Sequence, residues 1–141
     1  MSNFKQKLRA FVKRRHPRGC SADQIAALVE HVDGCLPSSY IQFMEVAGNG
    51  VDDFLRGGDF TVEDLDGVRE AADELLVEAG LEPLPSSAFV FTMHQGYQFY
   101  YFLDGAVYYF KEGQSRTEKR CDSFESFFDA VVQNIRQRPA R

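Results

Sequence analysis

The chain lacks long apolar runs. No uninterrupted run exceeds five residues, as in 99–103, which is far too short to cross a bilayer. Cysteine is scarce: Cys20, Cys35 and Cys121 form no even disulfide framework and point to a reducing cytoplasm. Residues 1–18 have no continuous apolar core, which argues against a secretory signal. Ser2 is their only serine, which argues against a transit peptide. No repeat or low-complexity linker breaks the 141 residues, so residues 1–141 read as a single domain that buries roughly two thirds of its unfolded surface.

Charge of one sign is missing locally. The net charge of −5 conceals seven bases and no acid in residues 1–18. Residues 19–110 then carry sixteen acids against only Arg56 and Arg69, and residues 111–141 carry seven bases and five acids. An acidic centre between basic ends bears on the choice of partner.

Aromatic residues are abundant in one place. Residues 89–110 hold ten Phe or Tyr, broken by His94-Gln95-Gly96 and Asp104-Gly105. Aromatic runs between Gly-bearing turns predict an antiparallel meander with strands over 89–93, 97–103 and 106–111. The middle run puts Tyr97, Phe99, Tyr101 and Leu103 on one face and Gln98, Tyr100 and Phe102 on the other. Both faces are largely apolar, which suits an interior strand covered on each side. Helices are expected over 3–15, from the Ser21-x-x-Gln24 capping box to Gly34, from Pro37 to Gly48, and over 64–79. A short strand near 60–62, a fourth meander strand near 116–121 and a last helix over 124–135, capped by Asp122-x-x-Glu125, complete the pattern. Helices at both ends of an antiparallel sheet define an α+β domain.

Two ordered segments carry a family resemblance. The first is Leu36-Pro37-x-x-Tyr40-x-x-Phe43 followed by Gly48-Asn49-Gly50. The second is Phe91-x-x-His94-Gln95-Gly96-Tyr97-x-Phe99-x-Tyr101-Phe102, then Val107-x-x-Phe110, then Ser123-Phe124-x-x-Phe127-Phe128. With the helix from Ser21, this resembles the SUKH superfamily over residues 21–135; the superfamily includes yeast cell-wall regulators and bacterial immunity proteins. The basic first helix lies outside the resemblance. The matching residues are turns, caps and core. The resemblance implies a non-catalytic binding scaffold without a cofactor, often one that neutralises a toxin encoded beside it, alternatively an intracellular scaffold or regulatory adaptor.

Other constellations have plainer readings. Gly96-Tyr97-Gln98-Phe99-Tyr100-Tyr101-Phe102 mimics an RNA-stacking strand, but Gln95 stands where a base is expected and the preceding sequence is acidic, which opposes phosphate binding. His16-x-x-x-Cys20 and His31-x-x-x-Cys35 would make a His2Cys2 zinc set, but their intervals match no zinc finger, so no metal is assigned. His94 lacks a nucleophile and an orienting group, and the glycine pairs lack the lysine of a phosphate loop. The basic start reads as a solvated helix face, with neither nucleic acid nor membrane as partner. The acids remain: Asp52, Asp53, Asp59, Glu63, Asp66, Glu70, Asp73 and Glu74 are the candidate contacts to a basic partner protein, with the last four sharing one face of the helix expected over 64–79.

Overall fold

The computed structural model describes residues 3–30, 36–55 and 58–137. Among these, the elements in chain order are α1 (Phe4–Val12), α2 (Ala22–Glu30), α3 (Ser38–Ala47), β1 (Gly58–Asp59), α4 (Val68–Glu78), β2 (Phe89–His94), β3 (Gln98–Leu103), β4 (Ala106–Lys111), β5 (Glu118–Cys121) and α5 (Phe124–Arg136). The strands form one antiparallel sheet in the order β1-β2-β3-β4-β5. The fold is α+β, as the pattern of elements requires.

Turn chemistry sets the register. Asp104 and Gly105 hold φ of 52° and 81°, and Leu103 pairs with Ala106 across them. Positive φ at both central residues gives a two-residue hairpin the right-handed twist of its strands, and Asp-Gly tolerates it best. Phe99 then faces Phe110, and Tyr101 faces Tyr108.

The sheet is apolar on both faces because helices cover both. Phe99, Tyr101 and Phe110, with Val90 and Met93, pack beneath Val68, Ala72 and Leu76 of α4. On the opposite face, Phe91, Phe102 and Val107 meet α3, α5 and α1. Phe124, the first residue of α5, has ring centroids within 6.1 Å of Phe4, Tyr40, Phe43, Phe91, Phe102 and Phe127. Phe91 and Phe102 stack at 4.2 Å on neighbouring strands. Such rings contribute their buried area plus about 0.5–1.5 kcal/mol per well-placed pair. Leu65 packs against both cores, so the segment before α4 wraps the β2 side of the sheet.

Several boundaries move for identifiable reasons. The first helix ends at Val12 rather than 15, because Arg15 folds back to donate to the Phe11 carbonyl at 2.7 Å while Arg14 turns to φ 66°. Asn3 accepts from Gln6 and Lys7 through its backbone, with no side-chain cap. The Ser21–Gln24 box forms in both directions, at 2.9 and 3.1 Å; the expected stop at Gly34 lies outside the described residues. The first strand is Gly58–Asp59 rather than 60–62: Phe60 turns inward against Phe43 and Phe54, and the Val62 N–H bonds the Gly48 carbonyl. The fourth helix starts at Val68, since Gly67 at φ 84° interrupts the run begun at 64. The β5 strand starts at Glu118 rather than 116. Its following helix is capped by Ser123, which accepts from the Ser126 N–H, while Asp122 pairs with Lys119 at 2.7 Å.

Tyr40 is buried with its hydroxyl unpartnered, inside the ring cluster. Burial pushes that phenol far above its usual titration range. Tyr40→Phe should therefore leave stability unchanged or raise it by about 1 kcal/mol, because it removes an unsatisfied polar group while keeping the ring. Phe124→Ala should cost about 3–5 kcal/mol. Urea unfolding of both variants checks the pair, and a costly Tyr40→Phe would show that the hydroxyl has a partner in solution.

Candidate protein-binding surface

The layered fold places the basic first helix and the acidic fourth helix on opposite sides of the sheet. Helix α1 lies in the layer with α3 and α5, while α4 covers the other face of the sheet. The bases of α1 and the acids of α4 thus lie on opposite faces of the sheet, whereas Asp52 and Asp53 sit beside the basic start.

The eight candidate acids fall into two groups. Asp52 accepts from, or shares a proton with, His16 Nδ1 at 2.8 Å, and Asp53 accepts from Arg15 Nε at 3.2 Å. These contacts fasten the 52–55 turn to the segment after α1, so both acids have structural work. Asp73 is more deeply committed. Its Oδ2 accepts from Arg69 Nε at 3.0 Å and its Oδ1 accepts from the Leu84 N–H at 2.9 Å. Arg69 in turn donates to the carbonyls of Ala88 at 3.0 Å, Leu84 at 2.6 Å and Pro85 at 3.2 Å. One carboxylate and one guanidinium therefore hold the connection from α4 to β2. The expectation that Asp66, Glu70, Asp73 and Glu74 share one exposed helical face is corrected: Asp66 precedes the helix, and Asp73 is half-buried in this clasp.

Asp59, Glu63, Asp66, Glu70 and Glu74 differ. They are exposed, as are Asp64 and Glu78, and none forms an ion pair among the described residues. They line the outer surface of α4 and the segment leading to it. No base among the described residues pairs with them, so their field extends into solvent.

A cleft escaped the sequence reading. Between the 52–55 turn, the sheet and α5 lies a cavity of about 430 Å³, with Asp53, Leu55, Tyr100, Arg120, Phe127 and Asn134 among its walls. A smaller hollow beside it adds Thr92, His94 and Gln98. Arg120 is an extra residue in β5, since Val107 pairs with Cys121 and Tyr108 with Lys119. That bulge turns its guanidinium over the Tyr109 ring at 4.0 Å, where Glu118 holds it at 2.6 Å. Tyr109 packs on Tyr100 at 4.8 Å and hydrogen-bonds Gln98. Burial raises the Tyr100 phenol pKa, opposed by the nearby Arg120 charge, so it is a neutral donor near pH 7. The Cys121 thiol is likewise raised by burial, against the needs of a nucleophile. Only the bulge at Arg120 signals this cleft, and a bulge is not written in local sequence.

The other sequence candidates are dispersed. Phe99 and Tyr101, rings of the RNA-like run, lie buried under α4. His16 is largely exposed and engaged by Asp52, whereas Cys20 packs against the α3 core; His31 and Cys35 lie outside the described residues. Among the described residues there is no cluster of three metal-ligating side chains, and no helix is long and apolar enough to cross a membrane.

A two-sided α+β scaffold with a basic helix on one face of its sheet and an acidic helix on the other is thus the class of protein. Residues 19–130 match the model of the SMI1 / KNR4 family (SUKH-1), and the chain belongs to that family, which includes immunity proteins and SMI1/KNR4-like regulators. No curated protein matches the chain. The match leaves out α1, which nevertheless belongs to the same core through Phe4, Leu8 and Phe11.

The division of the acids is testable by stability alone. Asp73→Ala should cost about 1–3 kcal/mol, since it strands Arg69 and the Leu84 N–H. Glu74→Ala, one residue on, should stay within about 0.5 kcal/mol. Equal costs in urea unfolding would contradict the assignment of Asp73 to the fold.

Proposed function

We propose that this protein is a cytoplasmic immunity protein that neutralises a basic toxin domain by binding it, without chemistry of its own. The observation that carries the reading is the exposed acidic surface of α4 and its leading segment, which no base of the described chain offsets. A nuclease toxin must present cations to hold its phosphate substrate. An acidic surface can occupy those cations, steer the encounter and exclude the substrate. Family membership supports a binding role, because immunity proteins are among its members.

Asp59, Glu63, Asp66, Glu70 and Glu74 are the contributors. Asp52, Asp53 and Asp73 act by holding the scaffold that presents them. Reversing Glu63, Asp66, Glu70 and Glu74 to Lys should slow association with the toxin encoded by the adjacent gene by about tenfold or more at low salt, and remove its salt dependence. Stability should hold, because these side chains form no ion pair among the described residues. Stopped-flow association at two salt concentrations is the measurement. An unchanged rate would move the binding surface to the Tyr100–Arg120 cleft, and a neighbouring gene that encodes no toxin would favour the adaptor reading instead.

A further inference from the structure

The bases of α1 divide as the acids do. Lys7 is engaged, with Glu125 at 3.4 Å and Asp129 at 3.0 Å, and ties α1 to α5. Lys5, Arg9 and Lys13 are exposed and form no ion pair among the described residues. They recur at i, i+4 and i+8, which places them in one stripe along the helix and its C-terminal cap. Beside the stripe, α1 and α3 leave a hollow with Leu8, Val12 and Val46 in its walls and Glu45 as its one acid. Val46 is one of three large apolar side chains exposed among the described residues.

The acidic side carries the counterpart. Glu70, Glu74 and Glu78 recur at the same i, i+4, i+8 spacing on α4. Val77, the most exposed large apolar side chain among those described, sits next to Glu78. Each step along either stripe is roughly 6 Å, four residues at the helical rise. The α1 stripe with Val46 of α3 beside it, and the α4 stripe with Val77 beside it, are opposite in charge and equal in spacing, and so complementary.

We propose that the α1–α3 groove of one molecule receives α4 of a second copy of this chain. The helices run antiparallel, so that Lys5 meets Glu78, Arg9 meets Glu74 and Lys13 meets Glu70. That sense also opposes the helix dipoles, with the positive end of α1 at the negative end of α4. The two surfaces lie on opposite sides of the sheet, so one pair cannot satisfy both at once. The contact is heterologous and builds rings or open chains of molecules rather than a closed two-fold dimer. The net charge of −5 opposes approach at long range, but within a Debye length of about 10 Å the local stripes decide. A bilayer is a poorer partner, because the apolar residues of α1 are turned into the core.

The test uses the full chain alone, without a toxin, so its result is independent of the proposed function. Sedimentation equilibrium at low salt should give an average mass that rises with concentration to about twofold or more above the 16.0 kDa monomer, and high salt should abolish the rise. The variant Lys5→Glu/Arg9→Glu/Lys13→Glu should be monomeric at low salt, and so should Glu70→Lys/Glu74→Lys/Glu78→Lys. Mixing the two should restore association, through the unaltered α1 of one and the unaltered α4 of the other. Circular dichroism confirms that each variant is folded. A wild-type protein monomeric at every concentration, or a mixture that stays monomeric, overturns the proposal.

Discussion

The packing of Phe124 is the constraint on which the rest depends. Its ring is the point where α1, α3, α5 and the sheet meet, through Phe4, Tyr40, Phe43, Phe91 and Phe102. None of these elements could bury its own apolar stripe alone. Nine residues of α1 are marginal as an isolated helix, so Phe4, Leu8 and Phe11 hold it in place through tertiary contacts. Because the rings are spent on the interior, most of what remains outside is polar, and recognition must rely on charge and on the few exposed apolar residues.

The sheet then acts as a separator. Its two apolar faces demand a helix layer on each side, and the chain supplies the basic α1 on one and the acidic α4 on the other. Where an acid serves the fold, it is found with its partner: Asp53 with Arg15, Asp73 with Arg69, Asp129 with Lys7. The clasp of Arg69 and Asp73 holds residues 84–88 and so sets where β2 begins. It frees the rest of α4 from any structural duty on its outer surface.

Features decided locally were legible in sequence. The Asp104-Gly105 turn, the Ser21–Gln24 box and the alternation along β3 each depend on neighbours a few residues apart, and each appears as expected. Features decided at a distance were not. The end of α1 is set by Arg15, whose guanidinium bonds the Phe11 carbonyl and also reaches Asp53 across 38 positions. The role of Asp73 rests on the Leu84 N–H, and helical spacing alone assigned it to the exposed stripe. The cleft depends on a one-residue excess in β5 that only strand pairing reveals. The candidate surface was therefore legible in composition, but its membership was not.

Dipole arguments sharpen the meaning of the charges left exposed. Lys5 lies in the first turn of α1, where the helix end is positive, and no acid stands there to offset it. Glu78 closes α4, where the helix end is negative, and no base stands in that last turn. Each placement is unfavourable by about 0.3–1 kcal/mol, and the like-charged neighbours at i+4 add a few tenths more. Exchanging the two charges between the helices would relieve these terms without touching a core contact. The stripes thus work against the stability of the isolated molecule and become favourable only when an opposite charge arrives from outside. Under the two proposals above, a basic toxin would do this for α4 alone and a second copy for both helices, so the two would compete for the acidic surface and only the second would also account for the basic one.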